Sequence, residues 1–144
     1  MTSKKRVVIT GMGIVSSIGN NLEEVKESLI TQKSGIVKSD TYREKGFRSQ
    51  IHGEIKLNLE DHVDKKQLRF MGAGAAYSVL SMEQAIKDSG LTPEEVSNPK
   101  TGLIAGSGGP STANMLQSFD IAREKGPKRV GPFSLAISND CSIL

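Results

Sequence analysis

A serine between glycines is the first group in this sequence that could perform covalent chemistry. Ser107 lies in the run Ala105-Gly106-Ser107-Gly108-Gly109, which connects a segment typical of a strand to one typical of a helix. A serine hydrolase presents its nucleophile at such a turn, and its acid and its histidine follow later in the chain. Both histidines of this chain precede Ser107, so a hydrolase is disfavoured. The turn also lacks the Gly-Lys-Ser/Thr ending of a phosphate loop. Its small residues either keep a channel open or allow close packing of the backbone.

A second glycine pattern, Gly11-Met12-Gly13-Ile14-Val15-Ser16, follows an apolar run. The β-branched residues at positions 7–10 predict a buried strand over residues 6–12. The pattern resembles the dinucleotide fingerprint, but its third glycine is missing and no acidic residue ends a second strand about 20 residues later. We therefore predict a tight strand-to-helix turn and no bound cofactor.

Two histidines and one cysteine are the remaining candidates for acid–base or metal chemistry. His52 and His62 have no cysteine or carboxylate at ligand spacing, so no metal site is predicted. Cys141 is the sole cysteine. A single cysteine excludes an internal disulfide and fits a reducing compartment.

Two basic clusters could bind an acidic partner. Lys65, Lys66 and Arg69 lie on the first turns of a predicted helix. Positive charge there opposes the helix macrodipole, so helix stability does not explain it. Lys125 and Lys128 belong to a second cluster. From the residues alone, a solvated face is favoured, and a docking site for an acidic partner is the alternative.

Length and composition limit the possible classes of protein. The chain has 144 residues, 36% of them hydrophobic, with 15 glycines, which is typical of one globular domain. A net charge of +3 and an aromatic content of 4% disfavour nucleic-acid binding. Only three apolar residues follow the basic start, so we predict neither a signal peptide nor a membrane span. We expect a cytoplasmic protein.

One long helix over residues 69–91 is predicted to organise the fold. Small or apolar residues, Met82 among them, recur at spacings of three and four from Leu68 to Ile86. Asp64 is the predicted N-cap, Gly90 the left-handed residue after the helix, and Leu91 its apolar contact. Glycine is costly inside a helix, so the glycines here indicate that another segment packs close to the helix backbone.

The other predicted elements alternate between helices and strands, which indicates a layered α/β domain. Before the long helix we predict a short helix capped by Asn20 or Asn21, a loop over 32–40 and an exposed strand over 49–57. After it we predict a helix that starts with the capping box Thr92-Pro93-Glu94-Glu95 and a buried strand over 101–105. The last predicted element is a helix that turns Met115, Leu116 and Phe119 inward.

Three segments in the same order resemble the N-terminal part of β-ketoacyl-acyl-carrier-protein synthases. They are VVITGMGIVSSIGNN, LRFMGAGAAYSVLSMEQAIKDSGL and TGLIAGSGG, and the resemblance covers about residues 5–132. It implies an α/β fold, specifically an incomplete thiolase-like layered fold that forms the N-terminal portion of an αβαβα architecture. The intact family forms homodimers.

The resemblance also implies an activity. The family elongates acyl chains in fatty-acid biosynthesis by decarboxylative Claisen condensation with malonyl-carrier protein. A cysteine thiolate at a helix N-terminus accepts the acyl chain, malonyl-carrier loses carbon dioxide, and the enolate attacks the thioester while two histidines stabilise its charge. By the same resemblance the acyl pocket is bordered by Gly106, Ser107, Gly108 and Gly109.

Two further positions of the family pattern bear on partners and selectivity. Gly109 replaces a bulkier gating residue of related synthases, which would leave the pocket mouth open. The basic positions that receive the acidic acyl-carrier protein match Lys65, Lys66, Arg69, Lys125 and Lys128. The resemblance therefore favours docking over a solvated face.

The end of the chain departs from the family pattern, so we assign residues 1–132 to the synthase domain and 133–144 to a divergent tail. Residues 137–142 faintly echo the family's nucleophile stretch, but Asp140 beside Cys141 would disfavour the thiolate. Cys141 is therefore a poor candidate nucleophile. We expect the catalytic Cys and His residues to be absent and the chain alone to be inactive, as in a truncated or frame-shifted product or a partial sequence. The alternative is a non-catalytic protein that binds acyl-carrier protein.

Overall fold

The computed structural model describes residues 5–131. Its helices are α1 (Leu22–Ile30), α2 (Asp40–Glu44), α3 (Lys65–Leu68), α4 (Ala73–Ser89), α5 (Pro93–Val96) and α6 (Thr112–Lys125), and its strands are β1 (Ile36–Lys38) and β2 (Ile51–Gly53). Short 3-10 turns span Leu59–Asp61 and Pro127–Arg129. The described residues form two compact units, one of residues up to Leu57 with Ser81–Ser97, the other of Asn58–Leu80 with residues from Asn98 on.

Local capping defines the helices of the first unit. The Asn21 side chain accepts the Glu24 N–H at 3.0 Å and starts α1, as predicted. The predicted capping box at Thr92 and Glu95 starts α5. Gly90 has a φ of +70° after α4, which confirms it as the left-handed residue there. Leu91 is 42% exposed, and its predicted apolar contact stays a prediction.

The sheet of the first unit is smaller than the sequence predicts. Strands β1 and β2 pair antiparallel, with Val37 opposite His52. The predicted exposed strand over 49–57 is confirmed in its centre, whereas the predicted loop over 32–40 contains β1. The loop prediction is wrong over Ile36–Lys38 because strand β1 is defined by its pairing with β2, which lies later in the chain.

The glycine segment near the start of the chain packs on the C-terminal half of α4. A Cβ atom at Gly11 would lie 2.6 Å from the Ser89 nitrogen, and one at Gly13 would collide with the Ser81 carbonyl oxygen. Only glycine allows this approach, because any other residue would place its Cβ atom inside the helix backbone. A close neighbour of the helix is therefore present at its C-terminal half, whereas the prediction rested on the glycines near its start. The predicted strand-to-helix turn over residues 11–16 is wrong, because the described residues before it form no strand and the turn lies at Ser16–Gly19.

The second unit has a small core and a broken helix. The described buried hydrophobic residues of this unit are Val63, Ala75, Ala76 and Leu80. The predicted continuous helix is instead α3 and α4. The amides of Phe70 and Met71 donate to carbonyls three residues back, so α3 ends in a tight turn before α4 begins. Asp64 therefore caps α3, and Met82, predicted on the buried stripe, is 41% exposed.

The predicted buried strands over 6–12 and 101–105 are wrong. Val7 and Ile9 are 93% and 84% exposed, and Ile104 is 97% exposed. The sheet assigned within residues 5–131 contains β1 and β2 alone, so neither run has a strand beside it. β-branched residues favour extended backbone, but a strand also needs a hydrogen-bonded neighbour.

The inward face predicted for α6 is wrong at two of its three residues. Leu116 and Phe119 are 58% and 55% exposed. The half-buried residues of α6 include Asn114, Ser118 and Ile121, and Met115 is half-buried as predicted. Apolar spacing predicts which residues share a helix face, but the neighbouring chain decides which face is covered.

Candidate functional site

The glycine turn predicted to border an acyl pocket is an exposed, self-contained loop. The Ser107 hydroxyl donates to the Gly109 carbonyl oxygen at 2.8 Å, and the Gly109 N–H approaches Ser107 Oγ at 3.4 Å. The hydroxyl therefore stabilises its own turn. This use of the hydroxyl is structural and gives no support to a serine nucleophile.

Open space surrounds the same turn. Cβ atoms built on Gly106, Gly108 and Gly109 would meet nothing within 4 Å among the described residues. The alternative of close backbone packing at this turn is therefore not seen within residues 5–131. The other alternative, in which they leave room for a ligand, stays a prediction.

The first basic cluster, which we define as Lys65, Lys66 and Arg69, lies on and just after α3. Asp64 Oδ1 accepts the Lys66 N–H at 2.6 Å and so fixes the start of the helix. The Arg69 guanidinium lies 4.4 Å from the centroid of the Phe70 ring, in a cation–π contact. All three cations are exposed, as a docking surface requires.

One cation of this cluster is already paired. Lys65 Nζ lies 2.8 Å from Glu60 Oε2, and the two side chains are 76% and 59% exposed. The hydrogen bond from Lys65, followed by its positive charge, lowers the pKa of Glu60, and the same two effects of Glu60 raise the pKa of Lys65. Both groups are therefore charged at neutral pH.

The second basic cluster, Lys125 and Lys128, lies at the end of α6. Lys125 is the last residue of the helix, where a cation complements the macrodipole. Gly126 has a φ of +85° and starts the turn Pro127–Arg129, which carries Lys128. This backbone conformation suits glycine and directs the chain away from the helix.

The structure brings Arg69 and α6 together within the second unit. A cleft of about 380 Å³ lies between them, lined by Leu68, Arg69, Met71, Asn114, Gln117, Ser118 and Ile121. Lys125 follows Ile121 by four residues on α6, so it projects one turn further along the same side of the helix. Members of the two basic clusters therefore flank one surface.

Sequence reasoning missed the residues that hold the Gly11–Gly13 segment. The Met12 N–H donates to Asp88 Oδ2 at 2.9 Å, and the Ile14 N–H donates to Gln84 Oε1 at 3.1 Å. Gln84 Nε2 in turn donates to the Asn20 carbonyl oxygen at 2.7 Å. Polar residues one turn apart on a mainly apolar helix were the available signal, since Gln84 and Asp88 share a face of α4.

A cleft of about 240 Å³ in the first unit was also not predicted. It is lined by residues of the 16–20 turn, α1 and β1, and by Lys56. Asn20 Nδ2 donates to the Lys56 carbonyl oxygen at 3.0 Å, while Asn20 Oδ1 is buried and has no hydrogen-bond donor among the described residues. The cleft is polar and mixed in charge, and it selects no particular ligand.

The histidines have structural surroundings. The His52 ring makes an edge contact with Tyr42, with centroids 5.6 Å apart, and His62 ends the Leu59–Asp61 turn. Within residues 5–131, no group of three or more metal-ligating side chains comes together. Cys141 lies outside the described residues. In the part of the chain that the structure covers, no helix is both long and apolar enough to cross a membrane.

Comparison with known proteins gives a family match along nearly the whole chain. The family model for the β-ketoacyl synthase N-terminal domain matches residues 4–144, a range that includes the segment 133–144. The 3-oxoacyl-[acyl-carrier-protein] synthase 1 of Haemophilus influenzae is 50% identical over 140 residues. That alignment covers 96% of this chain and 34% of the relative, so the chain spans about a third of the length of such relatives.

Solved structures show the same fold. The ishigamide ketosynthase/chain length factor matches with a TM-score of 0.80 and 24% identity, over 95% of this chain and 34% of that one. The ketosynthase of the AntDE:AntF complex, which holds a type II polyketide acyl-carrier protein, matches with a TM-score of 0.73 and 17% identity, over 97% of this chain and 37% of that one. The predicted α/β, thiolase-like ketosynthase fold is thereby confirmed.

Proposed function

This chain belongs to the β-ketoacyl synthase family, and from that premise we propose that it is the acyl-pocket and carrier-docking portion of a 3-oxoacyl-[acyl-carrier-protein] synthase. The observation that carries the proposal is the 50% identity to a synthase 1 over 96% of the chain. The reaction would be elongation of an acyl chain by decarboxylative Claisen condensation in fatty-acid biosynthesis.

In this reaction the chain's own residues bind and orient the substrates. Malonyl-carrier protein loses carbon dioxide, the resulting enolate carbon attacks the acyl thioester, a carbon–carbon bond forms and the carbon–sulfur bond breaks. The Gly106–Gly109 turn would border the acyl chain. The open space at Gly109 supports a wide pocket mouth, because a Cβ atom built there would meet nothing within 4 Å among the described residues.

The two basic clusters would receive the acyl-carrier protein. Their exposure supports this role, as does the cleft that places Arg69 alongside α6. The AntDE:AntF structure, whose ketosynthase has a similar fold, is a complex of that ketosynthase with its acyl-carrier protein. Clustered positive charge accelerates encounter with an acidic partner and fixes its orientation.

A chimeric enzyme tests the proposal. Residues 4–131 of this chain replace the aligned segment of the Haemophilus influenzae synthase 1, and condensation of acyl-carrier with malonyl-carrier is measured. We expect an active chimera, within about tenfold of the parent enzyme, because core positions of similar volume tolerate exchange. The 144-residue chain alone is the negative control, and we expect no acyl mass on its Cys141.

Two results would contradict the proposal. A chimera that folds as a cooperative, soluble protein but does not condense would reject the pocket role. If the 144-residue chain alone nevertheless bound acyl-carrier protein, a non-catalytic carrier-binding function would replace the proposed role in a synthase. An acyl adduct on Cys141 of the chain alone would instead reject the expectation that this chain lacks its nucleophile.

A further inference from the structure

Glu60 lies beside the first basic cluster in a short turn that is closed by local hydrogen bonds. Asn58 Oδ1 accepts the Glu60 N–H at 3.4 Å, and Asn58 Nδ2 donates to Asp61 Oδ2 at 3.0 Å, so the Leu59–Asp61 turn is capped. The Val63 N–H donates to the Leu59 carbonyl oxygen at 2.9 Å, and the Val63 side chain is buried. The turn that carries Glu60 is therefore anchored immediately before α3.

This anchoring places a carboxylate where the first basic cluster would meet an acidic partner. The contact of 2.8 Å between Glu60 Oε2 and Lys65 Nζ is a charge-assisted hydrogen bond. Lys65 is thus paired with a carboxylate of the protein itself, whereas Lys66 and Arg69, the latter over the Phe70 ring, have no anionic partner within residues 5–131.

We propose that Glu60 competes with the acyl-carrier protein for Lys65 and lowers the affinity of the docking surface. The inference rests on the proposed docking function. An acidic side chain of the carrier must displace Glu60 before it can pair with Lys65, and the Glu60 carboxylate repels the carrier while it remains. Carrier binding is therefore weaker and more easily reversed than three free cations would allow, which suits a partner that must leave after each reaction.

The expected effect is modest because the pair is exposed to solvent. Surface ion pairs are weakened by hydration and screened by salt, with a Debye length of about 10 Å at 0.1 M. We expect Glu60→Gln to bind holo acyl-carrier protein about threefold more tightly than the natural chain at low ionic strength. The gain should disappear at about 1 M salt, where the Debye length is about 3 Å.

A matched control separates this contact from a general change in charge. Asp61→Asn changes the net charge equally at the neighbouring residue, but Asp61 is paired with Asn58. The gain in carrier affinity from Asp61→Asn should therefore be clearly smaller than the gain from Glu60→Gln. In a Lys65→Gln background, Glu60→Gln should also gain less, because the competing contact is already lost.

The outcomes distinguish the inference from the function on which it rests. Equal gains for Asp61→Asn and Glu60→Gln, or no gain for Glu60→Gln, would overturn the competition while carrier docking stands. Weaker binding by Glu60→Gln would also overturn it, since Glu60 would then help to position Lys65. If the 144-residue chain does not bind the carrier, or if Lys66→Glu with Arg69→Glu leaves binding unchanged, the docking function and the inference both fail.

Discussion

At the scale of single residues, close packing against α4 requires that position 13 has no side chain. The glycine lies against the backbone of α4, and a methyl group there would overlap the Ser81 carbonyl oxygen. Backbone atoms of a helix cannot move aside as a flexible side chain can. The segment and the helix must therefore separate if the methyl group is added.

We expect Gly13→Ala to loosen the C-terminal half of α4. Overpacking costs about 1–3 kcal/mol, so amide protection over residues 81–89 should fall by about fivefold to more than a hundredfold in hydrogen exchange. Gly102→Ala is the control, because a Cβ there meets nothing within 4 Å. Unchanged protection in Gly13→Ala would show that the segment does not press on α4.

At the scale of elements, α4 acts as the support of the 12–20 loop. Gln84 accepts from the Ile14 N–H and donates to the Asn20 carbonyl oxygen, so one side chain joins two points of the loop to the helix. Both contacts link residues more than 60 positions apart in sequence. The loop conformation thus depends on a distant helix.

Replacing Gln84 by Ala should release this loop. A partly buried donor and acceptor left without partners cost about 1–3 kcal/mol each, so thermolysin should cleave between residues 12 and 20 at least about fivefold faster. Glu83→Ala, at an exposed position of the same helix, should leave the rate unchanged. Equal cleavage of the two variants would remove Gln84 from this role.

Which elements could be predicted depends on how locally they are determined. The caps at Asn21 and Thr92 and the left-handed Gly90 were predicted because they depend on residues within one turn. The extended run that contains Val7 was predicted as a strand, but the ladder that makes a strand requires a distant neighbour. The same holds for the candidate site. Lys65 and the Gly106–Gly109 turn were predicted because they match the family pattern. The ion pair between Lys65 and Glu60 was not predicted, because it depends on the three-dimensional positions of the two side chains.

At the scale of the whole molecule, exposed apolar side chains dominate the expected behaviour in solution. Val7, Val8 and Ile9 are 93%, 66% and 84% exposed, and Ile104 is 97% exposed. Consecutive exposed β-branched residues provide apolar surface and favour a backbone that can pair with a strand of another molecule. Such runs favour association between molecules.

We expect the 144-residue chain to self-associate as its concentration rises, measured by sedimentation velocity. Val7→Lys and Ile104→Lys should each reduce the associated fraction, since a charge on an extended edge opposes pairing. Gln50→Lys adds the same charge at an exposed polar position and should have little effect. A monomer at all concentrations with a sharp, concentration-independent melt would contradict this expectation.

The contact of the Gly11–Gly13 segment with α4 has a consequence for inhibitor discovery. A nucleotide or other polyphosphate needs free amide groups to cradle its oxygens, and here the Met12 and Ile14 amides already donate to Asp88 and Gln84. The Asp88 carboxylate would also repel an anion at that point. Screening libraries built around phosphate mimics should therefore be directed away from this segment, despite the resemblance of its glycine spacing to a nucleotide-binding motif.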